Sequence, residues 1–366
     1  MKKTVKIGNR LIGEDQPCFI VAEISCNHLQ KKNLALRLIS KAKQAGADAV
    51  KFQTYTPDTM TLNCDNKYFR IKGTIWEGQT LYNLYEKAYT PWKWFPDLAE
   101  SAKEEGLIFF STPFDETAVD FLEKLRVPAY KIASFEITHI PFIKYVAAKQ
   151  KPIILSTGVA TKADIDLALK TIQTQKNDKV ILMKCTSAYP APLNEANLKT
   201  IPDMEKRFGV LAGLSDHTIN ENVPAYAVAL GAKVIEKHFT LEKKGPDAKF
   251  SINPHEFAQM VTNIRRFEEM GEKKLLNELK KNKEFIAAAG RVRYASTPKA
   301  KEHRFLMRSI FIAKDILKGE KFTRENMRVV RPAYGLHPRY YEKVLGKKAR
   351  MDLKKGSPLS LGMVAT

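Results

Sequence analysis

Between residue 17 and about residue 270 the chain repeats one unit eight times: a short apolar or β-branched run, a polar cluster, then a helical pattern. The runs are "CFIVAE" (18–23), "DAVKFQ" (48–53), "LIFFST" (107–112), "AYKIAS" (129–134), "PIILST" (152–157), "VILMKCTS" (180–187), "VLAGLSD" (210–216) and "AKVIEKH" (232–238). Segments such as "NLALRLISKAKQAGA", "ETAVDFLEKLR" and "KADIDLALKTIQ" separate them, several closed by glycine or a short turn. Near-continuous apolar strands alternating with helices imply a parallel sheet covered on both faces. Eight such units in about 255 residues match a (β/α)8 barrel. A doubly wound sheet would need a glycine-rich phosphate loop after its first strand, and "AEISCNH" contains no glycine. The expected fold class is therefore α/β, a (β/α)8 barrel with a small C-terminal domain.

One insertion breaks the rhythm. Residues 54–91 separate the second run from its helix, and connections that long in a compact domain are usually functional. The barrel domain is expected over residues 1–285, a linker over 286–304 and a second domain over 305–366. The last holds short runs ("SIFIA", "MRVVRP", "SPLSL") between the turns "LKGE" and "KKGS". A piece so small buries little core by itself and is expected to dock on something larger.

The net charge of +21 raises the question of nucleic acid. Residues 283–366 carry 20 Lys and Arg against 7 Asp and Glu, spread singly rather than in one block. No nucleic-acid motif or aromatic reading face accompanies them, so the basic surface is read as an attractor of small anions. The basic start "MKKTVKIGNRLIGEDQ" has no apolar core of a signal peptide, and no stretch reaches the roughly 20 apolar residues of a membrane span. Cys18, Cys26, Cys64 and Cys185 lack paired metal or disulfide spacing. A cytoplasmic enzyme is the expectation.

In a (β/α)8 barrel the residues just past the strand ends converge on one mouth. Those ends supply Glu23, Lys51, Thr112, Lys131, Ser134, Glu136, Ser156, Lys184, Ser187, Ser215, His217, Glu236 and His238. His217 and His238 close successive runs, whose backbones would lie about 4.8 Å apart, so both can reach one divalent ion with open positions. Lys51, Lys131 and Lys184, with the hydroxyls, are read as a receptor for a compact polyanion such as a phosphate with a carboxylate. The residues alone thus point to a metal-assisted enzyme acting on a phosphorylated or carboxylated small molecule.

In order along the chain, "AEISCNH", "GADAVKFQT", "STPF", "VPAYKIAS", "KPIILSTG", "CTSAYP", "GLSDHT", "ALGAKVIEKHFT" and "GPD" resemble the sialic acid synthase family, and "RSIFIAKDILKGE" resembles its antifreeze-like (SAF) domain. That family condenses phosphoenolpyruvate with an N-acetylated sugar to make nonulosonic acids. "QTYTPD", "IKGTIWEGQTLYNLYEKAYTPW", "YKIASFE" and "RPAYGLHPRYYEKVLGKKA" are most similar to its pseudaminate-making branch. Neuraminate-making members tend to carry His and Asn where Lys184 and Ser187 stand. The resemblance therefore implies 2,4-diacetamido-2,4,6-trideoxy-β-L-altropyranose as the sugar, with N-acetylmannosamine or its 2,4-diacetamido analogue, giving neuraminate or legionaminate, as the alternative. Trp76 and Tyr82 of the insert, with Trp92 just past its end, suit its methyl group.

By the same resemblance, Lys51, Thr112, Lys131, Ser134, Ser156, Ser187 and Ser215 hold phosphoenolpyruvate. His217 and His238 ligate a metal, Mn2+ ahead of Mg2+ or Co2+. Glu23, Tyr189, Asp247 and Arg308 bind the sugar, and Glu23 or Glu136 deprotonates the attacking water. The C-terminal domain of one subunit is implied to cover the partner's barrel mouth in a domain-swapped homodimer, bringing Arg308. A non-catalytic carbohydrate-binding role would predict loss of strand-end lysines or histidines, and none is lost.

Overall fold

The computed structural model describes residues 4–270 and 277–365. The strands β1 (Thr4–Ile7) and β2 (Arg10–Gly13) form an antiparallel hairpin. Eight parallel strands follow: β3 (Phe19–Glu23), β4 (Ala49–Thr54), β5 (Ile108–Pro113), β6 (Tyr130–Ile132), β7 (Ile153–Ser156), β8 (Val180–Cys185), β9 (Leu211–Asp216) and β10 (Val234–His238). They lie in chain order, and β10 pairs back to β3 to close a barrel. All eight apolar runs are barrel strands.

The outer layer holds α1 (Lys32–Gln44), α4 (Phe95–Glu104), α5 (Glu116–Lys124), α6 (Ile140–Ala148), α7 (Lys162–Thr174), α8 (Thr200–Phe208), α9 (Val223–Ala229) and α10 (Pro254–Met270). Within the insert lie the short helices α2 (Pro57–Met60) and α3 (Leu81–Ala88). Side chains alternate along each strand. On β8, Val180 and Leu182 join the apolar layer under the helices, whereas Ile181 and Met183 point into the barrel.

The hairpin was not among the predicted elements. Ile7 pairs with Arg10 across the two-residue loop Gly8–Asn9, where Gly8 adopts φ +59°, the conformation such hairpin loops demand. Val5, Ile7 and Ile12 then pack against Phe19, Ala49 and Ile181 inside the barrel. This plug fills one end with hydrocarbon and leaves polar side chains only the other.

Beyond the barrel strands, α11 (Lys283–Ala289) packs on the barrel core, as does Tyr294. A short helix α12 (Pro298–Lys301) leads to the C-terminal domain, with β11 (Ser309–Ile312), β12 (Met327–Val330) and α13 (Tyr341–Val344). That domain has a compact core of its own, including Ile310, Ile312, Phe322, Met327 and Leu353. Phe311, on the opposite face of β11, packs with Val330 against Leu62 and Phe69 of the insert. Insert and C-terminal domain together roof the barrel mouth of the same chain. Leu306 and Met307 share one cluster with Met60, Leu84 and Phe135.

Candidate active site

Two cavities adjoin beneath this roof. The smaller is lined by Lys51, Thr112, Lys131, Ser134, Ser156, Ser215, His217 and Glu236. All but Ser134 sit on strands or one residue beyond, at inward positions. Lys131 Nζ donates to Ser156 Oγ at 2.7 Å, and Lys51 Nζ to Thr112 Oγ1 at 3.1 Å. Glu236 Oε1 stands 3.8 Å from both ammonium groups and accepts from Ser215 Oγ at 3.1 Å. Lys51 also pairs with Glu23. Ser134 and Ser187 are joined at 2.8 Å. Gly158 lets the loop after β7 close on them: a Cβ there would lie 2.2 Å from Ser187 Oγ and 3.0 Å from Cys185 Sγ.

The two carboxyls flanking Lys51 are driven apart. Burial pushes the Glu23 carboxyl up, further raised by Glu236, and Lys51 does not cancel this. Burial also acts on Glu236, but Lys131 and Lys51 outweigh it and hold its carboxyl below the usual range. Such a split is how a site separates acid from base. Burial lowers Lys131, with Glu236 opposing.

The larger cavity shares Gln53, Phe114, Ala133, Phe135 and Tyr189 with the smaller. One side is polar: Gln53 Nε2 donates to Ser25 Oγ at 2.8 Å and to Glu23 Oε1 at 3.0 Å, and Ser25 donates to Asp247 Oδ2 at 2.5 Å. Burial raises the Asp247 carboxyl despite the bond from Ser25. The other side is apolar and comes from the insert and C-terminal domain.

His217 and His238 meet where the cavities join, their ring centroids 5.4 Å apart. His217 Nδ1 lies 2.9 Å from the Thr186 carbonyl oxygen and carries a proton there, which leaves Nε2 as the nitrogen free of that bond. Burial acts to lower the ring's pKa, but Cys185 and the Thr186 carbonyl outweigh it and hold it above the usual histidine range. His238 Nδ1 is buried without a hydrogen-bond partner, 3.6 Å from Asp247 Oδ2. Burial, then His217 and Lys51, keep His238 well below the usual range, hence neutral. Among the described residues no three His, Cys, Asp or Glu side chains gather as a ligand set. The pair fits an ion held by two imidazoles with its other positions left to substrate and water.

Several expected residues lie elsewhere. Lys184 follows the outward register of Val180 and Leu182, lines neither cavity, and donates to the Cys185 carbonyl at 2.9 Å and Thr186 Oγ1 at 3.2 Å. Two of the three strand-end lysines, Lys51 and Lys131, therefore line the smaller cavity. Glu136 lines neither cavity; its Oε1 accepts from Arg331 Nη2 at 2.7 Å and Arg308 Nε at 3.3 Å, so it is spent on the C-terminal domain's arginines. Arg308 does not line the larger cavity, because its donors go to Glu136, the Thr59 and Val329 carbonyls, and Met60 Sδ. The arginine that lines it is Arg331, packed among Tyr85, Phe114 and Phe135. Trp76 lines the cavity, whereas Tyr82 bonds Asp58 and Trp92 stacks on Phe121. Glu236 was legible as a strand-end residue; Arg331 lies in a small domain whose docking no periodicity reveals.

The family model described as NeuB family matches residues 38–275, and that described as SAF domain matches residues 307–365. The chain is 43% identical to the pseudaminic acid synthase of Campylobacter jejuni over 98% of its own length and 99% of the relative's. It is 44% identical to the pseudaminic acid synthase of Helicobacter pylori over 94% and 97%. The crystal structure of the spore coat polysaccharide biosynthesis protein spsE of Bacillus subtilis superposes with a TM-score of 0.85 at 34% identity, covering 100% of this chain and 99% of that one. A closed barrel with this double cavity, matched over its length by these relatives, places the chain in the NeuB family.

Proposed function

We propose that the chain condenses phosphoenolpyruvate with 2,4-diacetamido-2,4,6-trideoxy-β-L-altropyranose and water, giving pseudaminic acid and phosphate. The observation that carries this reading is the pair of adjoining cavities. One offers two lysines and a ring of hydroxyls to a doubly anionic three-carbon acid; the other offers a polar strip and an apolar wall to an acetamido sugar. The choice of sugar rests on the full-length similarity to the two pseudaminic acid synthases.

Lys51 and Lys131, with Ser134, Ser156, Ser187 and Ser215, hold the phosphate and carboxylate, and Asp247, Tyr189 and Arg331 orient the open-chain sugar. The methylene carbon of phosphoenolpyruvate forms a bond to the sugar's aldehyde carbon, and the aldehyde oxygen takes up the electron pair and a proton. Water adds at the enol carbon and phosphate leaves with cleavage of its C–O bond. Glu236, anionic between two lysines, is the base the geometry offers for that water. His217 and His238 would hold a divalent cation, Mn2+ by preference, which supplies Lewis-acid polarisation of the aldehyde.

A homodimer with exchanged C-terminal domains belongs to the same proposal. The contacts of Arg331 would be kept, made between chains instead of within one. Phosphate release from phosphoenolpyruvate with a panel of sugars tests the reaction. The diacetamido-trideoxy sugar is expected to exceed N-acetylmannosamine by far in kcat/KM; equal values would move the chain to neuraminate synthesis. For the metal, His217→Ala and His238→Ala should bind less than one Mn2+ per chain by elemental analysis. Full occupancy in both would overturn that assignment.

A further inference from the structure

We propose that the insert helix α3, through Leu84 and Ala88, together with Met60 and Leu306, forms the wall that reads carbons 4 to 6 of the sugar. In particular it rejects a hydroxyl on carbon 6. The inference rests on the reading above and adds the residues that set its sugar specificity.

The direction of the sugar follows from the cavities. The carbon attacked must lie where they join, at Gln53, Phe114, Phe135 and Tyr189. From there the polar strip of Ser25, Asp247 and His238 belongs to the floor, since β3 and β10 or the loops that follow them carry it. Floor groups therefore meet the first carbons of the chain, and the roof meets the last.

The stretch of that roof built by Leu84, Ala88, Met60 and Leu306 is apolar, and its carbon side chains offer a hydroxyl no partner. Leu84, Ala88 and Leu306 carry no polar side-chain atom, and all three are buried. Tyr85, next to Leu84, keeps its hydroxyl oxygen on Arg331 Nη1 at 3.1 Å. Met60 Sδ is engaged by Arg308 Nη2 at 3.3 Å. A methyl on carbon 6 and the methyl of a 4-acetamido group fit such a surface. A 6-hydroxyl would lose its water there and gain nothing in return.

The roof is also held in place by backbone and side-chain bonds between insert and C-terminal domain. Arg331 N donates to the Met60 carbonyl at 2.9 Å, and Thr61 Oγ1 donates to the Arg331 carbonyl at 2.8 Å. Arg308 Nη1 donates to the Thr59 carbonyl at 3.0 Å. The wall and the sugar-facing Arg331 therefore move as one piece, which ties the apolar end of the sugar to the guanidinium that orients it.

The test compares 2,4-diacetamido-2,4,6-trideoxy-altrose with its 6-hydroxy counterpart. For wild type the kcat/KM ratio is expected between about 10 and 200, the range for one group in an apolar pocket. Leu84→Asn and Ala88→Ser should each lower that ratio at least about fivefold without changing the KM for phosphoenolpyruvate, and Leu84→Met should keep it. Ala88→Ser adds a single oxygen and guards against a misfolded Leu84→Asn. A wild-type ratio near one, or a ratio unmoved in both polar variants, overturns the wall while leaving the reaction intact. Turnover of N-acetylmannosamine alone overturns the choice of sugar instead.

Discussion

Lys184→Met should stabilise the protein and leave phosphoenolpyruvate binding untouched. Lys184 is buried at 5% exposure with its ammonium bonded only to a carbonyl and a hydroxyl. Burial, assisted by Arg293, pulls it from 10.5 to about 8. At roughly 1.4 kcal/mol per pH unit, keeping the charge in the fold costs about 3 kcal/mol at neutral pH. Methionine of similar length removes that cost and forfeits two hydrogen bonds worth about 1 kcal/mol each. A net gain of about 1–2 kcal/mol remains, or a Tm higher by roughly 2–6 °C. Below about pH 8 both folded and unfolded wild type bind the proton and the penalty is complete. Between about 8 and 10.5 only the unfolded chain binds it, so wild-type stability rises with pH and the gap to the variant closes. Denaturant melts of both proteins at pH 7 and pH 10 measure this. A less stable variant, or one with a tenfold higher KM for phosphoenolpyruvate, would refute the placement of Lys184 outside the anion site.

Gly158→Ala places a methyl 2.2 Å from Ser187 Oγ; it should raise the KM for phosphoenolpyruvate at least tenfold, by initial-rate kinetics, and an unchanged KM would show that the loop yields. Lys131 binds anions only when protonated, and burial lowers it. Affinity for phosphoenolpyruvate should therefore be full at neutral pH and fail on the alkaline side below the ordinary lysine range, an early limb that Lys131→Arg should remove. Arg331→Ala homodimers should be nearly inactive, and mixing them with His217→Ala chains should restore activity if the C-terminal domains exchange. Absence of rescue under verified subunit exchange would favour the docking within one chain.

The eight apolar runs and the helical patterns between them were enough to determine the barrel, because period and composition are local properties and parallel strands buried on both faces admit few closures. The strand-end residues were legible for the same reason. Strand alternation, applied to "VILMKC", would also have separated Lys184 from Cys185, since one residue reverses the face. The hairpin plug was signalled only by Gly8–Asn9 between two four-residue strands, too short to stand out by periodicity. What the tertiary structure alone decided lies at the roof. Glu136 reads as a free strand-end carboxylate until Arg308 and Arg331, 172 and 195 residues away, take its oxygen. Choosing between those two arginines depends on how the C-terminal domain packs Phe311 and Val330 onto Leu62 and Phe69. Contacts between surfaces so distant in sequence leave no period behind; shape and desolvation after folding settle them.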